Sequence, residues 1–245
     1  MNKLSPQAVI FDLGSTLVDF PVTNWDTVSR ECTLAGYRHL LESDCKLPGE
    51  SEFLAGFEQV RAVFRQQATD SHKEWTVVEA AQRFFVEIGL PVQNGLADKF
   101  FDSFYGELEK HLSLYDDTID VLTRIRGRFP KVGLISNTIF PERVHHREFQ
   151  RFGLKSFFDF AIFSSTFGLR KPHPSIFNEA AKLAGVKTSD CVYIGDRYLE
   201  DAQGSSGAGM HSILKIIPGR EYPTEFPQSQ RKITDLSDLS KHLDI

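Results

Sequence analysis

The sequence predicts an α/β fold, with a parallel sheet core built from both ends of the chain and an α-helical segment inserted after the first strand. Three observations predict it. The first apolar run, Ala8-Val9-Ile10-Phe11, is stopped by Asp12-Leu13-Gly14. From about Pro21 to Leu112 the periodicity is helical throughout. After Tyr115, short apolar runs alternate with helical stretches. Alternation at these lengths requires right-handed crossovers, and these leave a parallel sheet covered on both faces.

The run Ala8–Phe11 suits a strand buried on both faces, and Gly14 suits the turn after it. Within the insert, Phe53, Phe57, Val60 and Phe64 recur at helical spacing. Trp75, Val78, Phe84, Phe85 and Ile88 form a second stripe that ends before Gly89, and Phe100, Phe101, Phe104, Tyr105 and Leu108 a third. A weaker stripe runs from Trp25 to Leu41, so four amphipathic helices are expected to pack as a small bundle. The rest of the core reads in order as a helix near Asp116–Arg128, the strand Val132–Ile135, and a helix from Pro141 toward Gly153. The strand Phe160–Phe163 follows, then a helix from Pro174 to Ala184 ended by Gly185, and the strand Val192–Ile194. A short helix near Glu200–Ser206, the strand His211–Ile217, a loop over Pro218–Gln230 and a closing helix at Leu236–Leu243 complete the chain. The expected domains are thus 1–20 with 113–245 as the discontinuous core and 21–112 as the helical insert.

Composition bounds the function. The chain has 245 residues, of which 41% are hydrophobic and 25% charged, a globular composition without the signature of disorder. A formal charge of −5 argues against a broad nucleic-acid surface. No apolar run approaches the ~18 residues of a membrane span, and Met1 to Gln7 lacks a secretory hydrophobic segment. Cys32, Cys45 and Cys191 form no C-x-x-C pair, so zinc and a disulfide framework are not expected. A cytoplasmic protein with no membrane or nucleic-acid partner is the expectation.

Chemistry should lie just beyond the carboxyl ends of the strands, where open parallel sheets bind ligands. Those positions hold Asp12, then Ser136-Asn137-Thr138, then Lys171 in a longer loop, then Asp196 with Asp201. Carboxylates converging on one crevice call for a cation, and an all-oxygen set favours magnesium with a phosphate substrate. The hydroxyl, nearby backbone N–H groups and the Lys171 ammonium are what phosphate oxygens require. A carboxylate is ionised at neutral pH, so Asp12 can act as a nucleophile without a base.

These stretches resemble the haloacid dehalogenase superfamily, in particular phosphatase-like members with a helical cap after the first strand. The matching segments are Val9-Ile10-Phe11-Asp12-Leu13-Gly14-Ser15-Thr16-Leu17, Leu134-Ile135-Ser136-Asn137, Ser165 through Phe177 around Lys171, and Tyr193-Ile194-Gly195-Asp196 through Asp201 to Met210. They occur in the family's order. The resemblance implies a Rossmann-like core and a magnesium-dependent phosphatase of a small phosphorylated metabolite. It implies Asp12 as nucleophile and metal ligand, and the Gly14 backbone carbonyl, Asp196 and Asp201 as further members of the metal site. By the same resemblance Ser136 with the Asn137 amide binds the phosphoryl group, and Lys171 bridges Asp12 and phosphate. The cap matches in position and helical character only.

One position departs from the pattern. Most family phosphatases carry a second Asp two residues after the nucleophile as general acid, a function worth roughly 10²–10⁴ in rate; here it is Gly14. A phosphate-ligand-binding or regulatory protein with little turnover is therefore an alternative, and a metal-independent haloacid dehalogenase another, against which Asp196 and Asp201 speak. The glycine-rich Gly204–Gly209 follows a helix and precedes a strand, the reverse of a phosphate loop. His145 and His146, neighbours on a helix and about 100° apart, read as a solvated face rather than a metal pair.

Overall fold

The computed structural model describes residues 2–20, 24–91 and 95–245; the expected start of the insert at Pro21, like Met1, lies outside the described residues. The chain forms two compact units. The first comprises Met1–Asp19, Ser113–Thr138 and Glu142–Ile245, and the second Phe20–Leu112 with Ile139–Pro141.

The first unit holds a six-stranded parallel sheet. Its strands are β1 (Ala8–Phe11), β4 (Lys131–Ser136), β5 (Phe160–Phe163), β6 (Cys191–Gly195), β7 (His211–Lys215) and β8 (Arg231–Ile233), in the order β5-β4-β1-β6-β7-β8. A two-residue antiparallel ribbon of β2 (Val18–Asp19) and β3 (Ser113–Leu114) lies where the chain leaves this unit and returns to it. Strand β1 is central and fully buried, pairing Phe11 with Leu134 on one side and with Ile194 on the other. The register therefore sets the residues after β1, β4 and β6 side by side.

The covering helices are α5 (Thr118–Arg128), α6 (Glu142–Arg151), the single-turn α7 (Ser164–Phe167), α8 (Pro174–Ala184) and the short α9 (Gly204–Gly207). Helix α8 starts with Pro174 in its first turn and stops at Gly185, whose φ of 72° is left-handed. Its face of Ile176, Phe177, Ala180 and Ala184 packs with Ile10, Ile135 and Tyr193, forming a buried core under the sheet.

The second unit contains α1 (Trp25–Glu42), α2 (Glu50–Ser71), α3 (Val77–Glu87) and α4 (Leu96–Glu109). Phe53, Phe57, Phe85, Phe100 and Phe101 are fully buried in its centre. Edge-to-face contacts link Phe53 to Phe84 and Phe57 to Phe100, at centroid distances of 4.9 and 5.2 Å. Helix α3 begins with a capping box between Thr76 and Glu79. It buries Val77 rather than Val78, because the cap sets the helix phase. Residues Ile139–Pro141 belong with this unit: Ile139 accepts a hydrogen bond from Val77 N, and Phe140 packs on Phe101 and Tyr105.

Several elements differ from expectation. The predicted helix near Glu200–Ser206 is a π-helical turn, Tyr198–Gln203, running into α9. The loop predicted over Pro218–Gln230 is followed by β8, a three-residue strand too short and too charged to show a period. The predicted closing helix is a 3₁₀ segment, Leu236–Lys241. His145 is not on a solvated face. It is buried, accepting or donating at 2.8 Å to Thr138 Oγ1 and at 2.7 Å to Glu148 Oε2, and stacks on Phe163, while His146 is exposed as expected. The i, i+3 spacing to Glu148 lets a polar pair satisfy itself under the helix.

Candidate active site

Asp12 is the first residue beyond β1, and its backbone N–H donates to Ile194 O at 2.8 Å, continuing the sheet one residue past the strand. The chain then turns sharply: Leu17 N and Val18 N both return to Leu13 O, and Ser15 takes a left-handed φ of 61°. Gly14 sits exposed in this turn, and a Cβ there would meet no heavy atom within 4 Å. Among the described residues, no side chain occupies the place of that Cβ.

Lys171 is the hub of the site. Only 2% exposed, its ammonium donates to Asp12 Oδ1 at 2.7 Å, Asp201 Oδ1 at 2.6 Å and Tyr193 Oη at 2.7 Å. Burial opposes its charge, yet the Asp12 and Asp201 carboxylates hold the Lys171 pKa above the ordinary lysine value. Burial pushes the Asp12 carboxyl up, Lys171 pulls it back down, and Asp201 pushes it up again, for a net rise. Tyr193 is raised well above a free phenol, chiefly by burial and then by Asp201 and Asp12, so it stays protonated and donates.

Asn137 accounts for how Lys171 is aimed. Its side-chain Nδ2 donates to Lys171 O at 2.9 Å and its Oδ1 accepts from Lys171 N at 2.8 Å. This reciprocal clamp ties the residue after β4 to the lysine loop. Its carboxamide is thereby engaged with Lys171. Ser136, the last residue of β4, is buried beside it.

Asp196 and Asp201 follow β6. The π-helical turn brings Asp201 back, with Asp201 N and Ala202 N both donating to Arg197 O. Asp201 Oδ2 accepts from Arg197 N at 2.8 Å, so both its oxygens are engaged. The carboxylate lies so close to Gly195 that a Cβ there would come within 2.4 Å of Asp201 Cγ. That close approach is what the glycine permits. Asp196 is 1% exposed; its Oδ1 accepts from Thr16 Oγ1 at 3.2 Å, and the same hydroxyl lies 3.1 Å from Asp12 Oδ2.

Ligand oxygens of Asp12, Asp196 and Asp201 lie within 4.8 Å of one another. Asp196 Oδ2 is buried and paired with the Arg220 guanidinium. A donor set of carboxylate oxygens alone fits a hard divalent cation. Charge agrees: three carboxylates against Lys171 and Arg220 leave a net of −1, which a divalent ion would reverse. Ser136, Asn137, Lys171, Asp12, Asp196, Asp201 and Gly14 all belong to the first unit, and Asp12, Ser136 and Asp196 lie at adjoining strand ends.

Comparison with known proteins agrees with this arrangement. The profile described as haloacid dehalogenase-like hydrolase matches residues 6–209. The chain belongs to that family. A glyceraldehyde 3-phosphate phosphatase from Methanopyrus kandleri is 25% identical over 229 residues, 94% of this chain and 91% of that one. The human haloacid dehalogenase-like hydrolase domain-containing protein 3 is 38% identical over 103 residues, 42% of this chain and 40% of that one. A 2-haloacid dehalogenase structure from Pseudomonas syringae pv. Tomato superposes with a TM-score of 0.72 at 23% identity, covering 97% of each chain, which shows the shared fold. The α/β architecture of this hydrolase is therefore that of its family, and among its described residues no helix is long and apolar enough to cross a membrane.

Several site residues carry no signal in the sequence. Tyr193 reads as an ordinary apolar strand residue, and Arg220 lies in a segment read as loop. Arg220 also reaches Ser15 Oγ at 3.3 Å and Asp196 O at 3.4 Å, and Tyr222 Oη donates to Asp196 O at 2.9 Å. Thr16, which joins Asp12 to Asp196, stands at a detectable position, four residues after the nucleophile, but its hydroxyl partners depend on the turn.

Proposed function

We propose that this hydrolase is a magnesium-dependent phosphatase that acts on a small phosphorylated metabolite through an aspartyl phosphate on Asp12. The observation that carries the reading is the Lys171 ammonium fixed between Asp12 Oδ1 and Asp201 Oδ1, beside a third carboxylate, Asp196. The phosphatase named among its relatives supports the same class of reaction.

Asp12 attacks phosphorus through Oδ2, which the Thr16 hydroxyl orients, while Oδ1 stays on Lys171; the ester P–O bond breaks and the leaving alcohol takes its proton from water, since Gly14 offers none. Repulsion between this carboxylate and a phosphate dianion is offset by Lys171, and the Ser136 hydroxyl with the main chain of Asn137 binds the phosphoryl oxygens. Water then cleaves the aspartyl phosphate and restores Asp12. Asp12, Asp196 and the Gly14 carbonyl would hold magnesium, which would neutralise charge on the phosphoryl group. Asp201, with both oxygens engaged, acts mainly by holding Lys171 and the turn after Asp196. Asp196 disfavours the metal-independent dehalogenase, because a third carboxylate beside Asp12 and the Lys171-bound Asp201 has no task there.

The test is hydrolysis of an aryl phosphate with magnesium, with chelator and with Asp12→Asn. Loss of turnover in both controls is expected. Full activity of Asp12→Asn would refute the covalent mechanism, and full activity in chelator would refute the metal requirement.

A further inference from the structure

We propose that the helical unit carries a second binding site, for a small organic oxyanion with a flat apolar body, in the cavity between α1 and α2. The cavity has a volume of about 740 Å³, and its lining among the described residues belongs to this unit. That volume is within the ~300–1,000 Å³ usual for small-molecule sites.

Three features define what it would take. Arg61 is 8% exposed, and its Nη1 donates to Ser29 Oγ at 2.7 Å across the two helices. Its Nε is buried and finds no hydrogen-bond partner among the described residues. A guanidinium held between the Phe57 and Phe104 rings, at 5.7 and 5.8 Å, is costly to bury, and an unmet N–H adds to that cost. Next, the cavity is cationic: Arg30, Arg61 and Arg65 line it against Asp26 and Glu58. Glu58 is shared by Arg61 and Arg65, and Asp26 sits in the first turn of α1, where the helix dipole favours it, so one guanidinium charge is in excess. Finally, Trp25 lines the cavity, stacked on Phe20 at 4.3 Å and still 55% exposed, and Leu54 lines it too. A stacked indole in water beside a cationic pocket is a surface for a planar group, and an arginine fork is a surface for a carboxylate or phosphate.

The site does not rest on the phosphatase reading, and the experiment keeps the two apart. The full chain carries Asp12→Asn and is kept in chelator, so neither turnover nor cation-dependent binding contributes. Trp75→Phe leaves Trp25 as the sole indole of the chain's two. Its fluorescence is titrated with benzoate, with phenyl phosphate and with benzylamine. Saturable change with either aryl anion, none with benzylamine, and at least a tenfold weakening in Arg65→Gln is the expected result. Arg65 is exposed, so this variant keeps its fold, and circular dichroism checks it. Ser136→Ala should leave the binding unchanged. The proposal is overturned if no anion saturates in the millimolar range, if benzylamine acts equally, if Arg65→Gln binds as before, or if Ser136→Ala abolishes the signal.

Discussion

Lys171→Met removes a cation that touches both Asp12 and Asp201, and the structure sets the size of the effect. The ammonium makes charge-assisted hydrogen bonds of 2.7 and 2.6 Å to two buried carboxylates and a third bond to Tyr193. Methionine fills similar volume, so the loss is electrostatic rather than a cavity. Breaking a buried pair by deleting one partner costs about 3–5 kcal/mol, since the remaining charge stays buried. For a chain of this size each kcal/mol moves Tm by about 2–4 °C, so a fall of roughly 6–20 °C is expected near neutral pH in chelator. The pH dependence has a definite sign. Asp12 already has a folded pKa above its unfolded value because of burial, and losing Lys171 raises it further. Such a group favours the folded state below its unfolded pKa and withdraws that support as pH rises through the folded one. The gap between variant and parent should therefore be widest at neutral pH and narrow in acid. Magnesium should recover part of the loss, because a divalent ion restores the missing positive charge. Thermal unfolding followed by circular dichroism, at two pH values with and without magnesium, reads all three. A loss under about 1 kcal/mol, the value of an exposed ion pair, or an equal loss in acid, would refute the reasoning.

Gly14→Asp should fold normally, since a Cβ at Gly14 meets no heavy atom within 4 Å. It should raise turnover of alkyl phosphates by up to ~10²–10⁴ while barely changing aryl phosphates, whose leaving groups need no proton; unchanged alkyl rates would show that Gly14 is not limiting. Lys215 is depressed to about 8, chiefly by burial, so its protonated form is disfavoured in the folded state. Stability should rise as pH passes upward through that value, by roughly 1 kcal/mol after discounting for the Thr16 carbonyl and Tyr115 ring that support its charge; Lys215→Met should flatten that slope. Burial raises the Cys32 thiol to about 12 and the Cys191 thiol to about 11, so both stay protonated. A thiol reagent at mildly alkaline pH should label Cys45 first and the other two only on unfolding, which mass spectrometry can count.

What the sequence determined by itself is what local pattern encodes. Ala8–Phe11, Val132–Ile135 and Val192–Ile194 are short runs without charge, which suit strands buried on both faces. The Phe-rich stripes of α2 and α4 have helical spacing and are buried where that spacing predicts, except Phe64, which is only half-buried. Topology then puts Asp12, Ser136 and Asp196 at adjoining strand ends, so the acidic cluster was legible before any coordinate. The tertiary structure alone decided the partners. Asn137 lies 34 residues from Lys171, and a carboxamide has no period that foretells a clamp on a distant main chain. Arg220 and Tyr222 reach Asp196 from a segment whose composition reads as loop. His145 is buried by its pair with Glu148 and its stacking on Phe163, although its neighbour His146 is solvated. Periodicity records which face of an element avoids water, because that cost accumulates along the chain. A hydrogen bond between distant polar groups depends on where two elements are brought together, and that position is set by the packing of all the others.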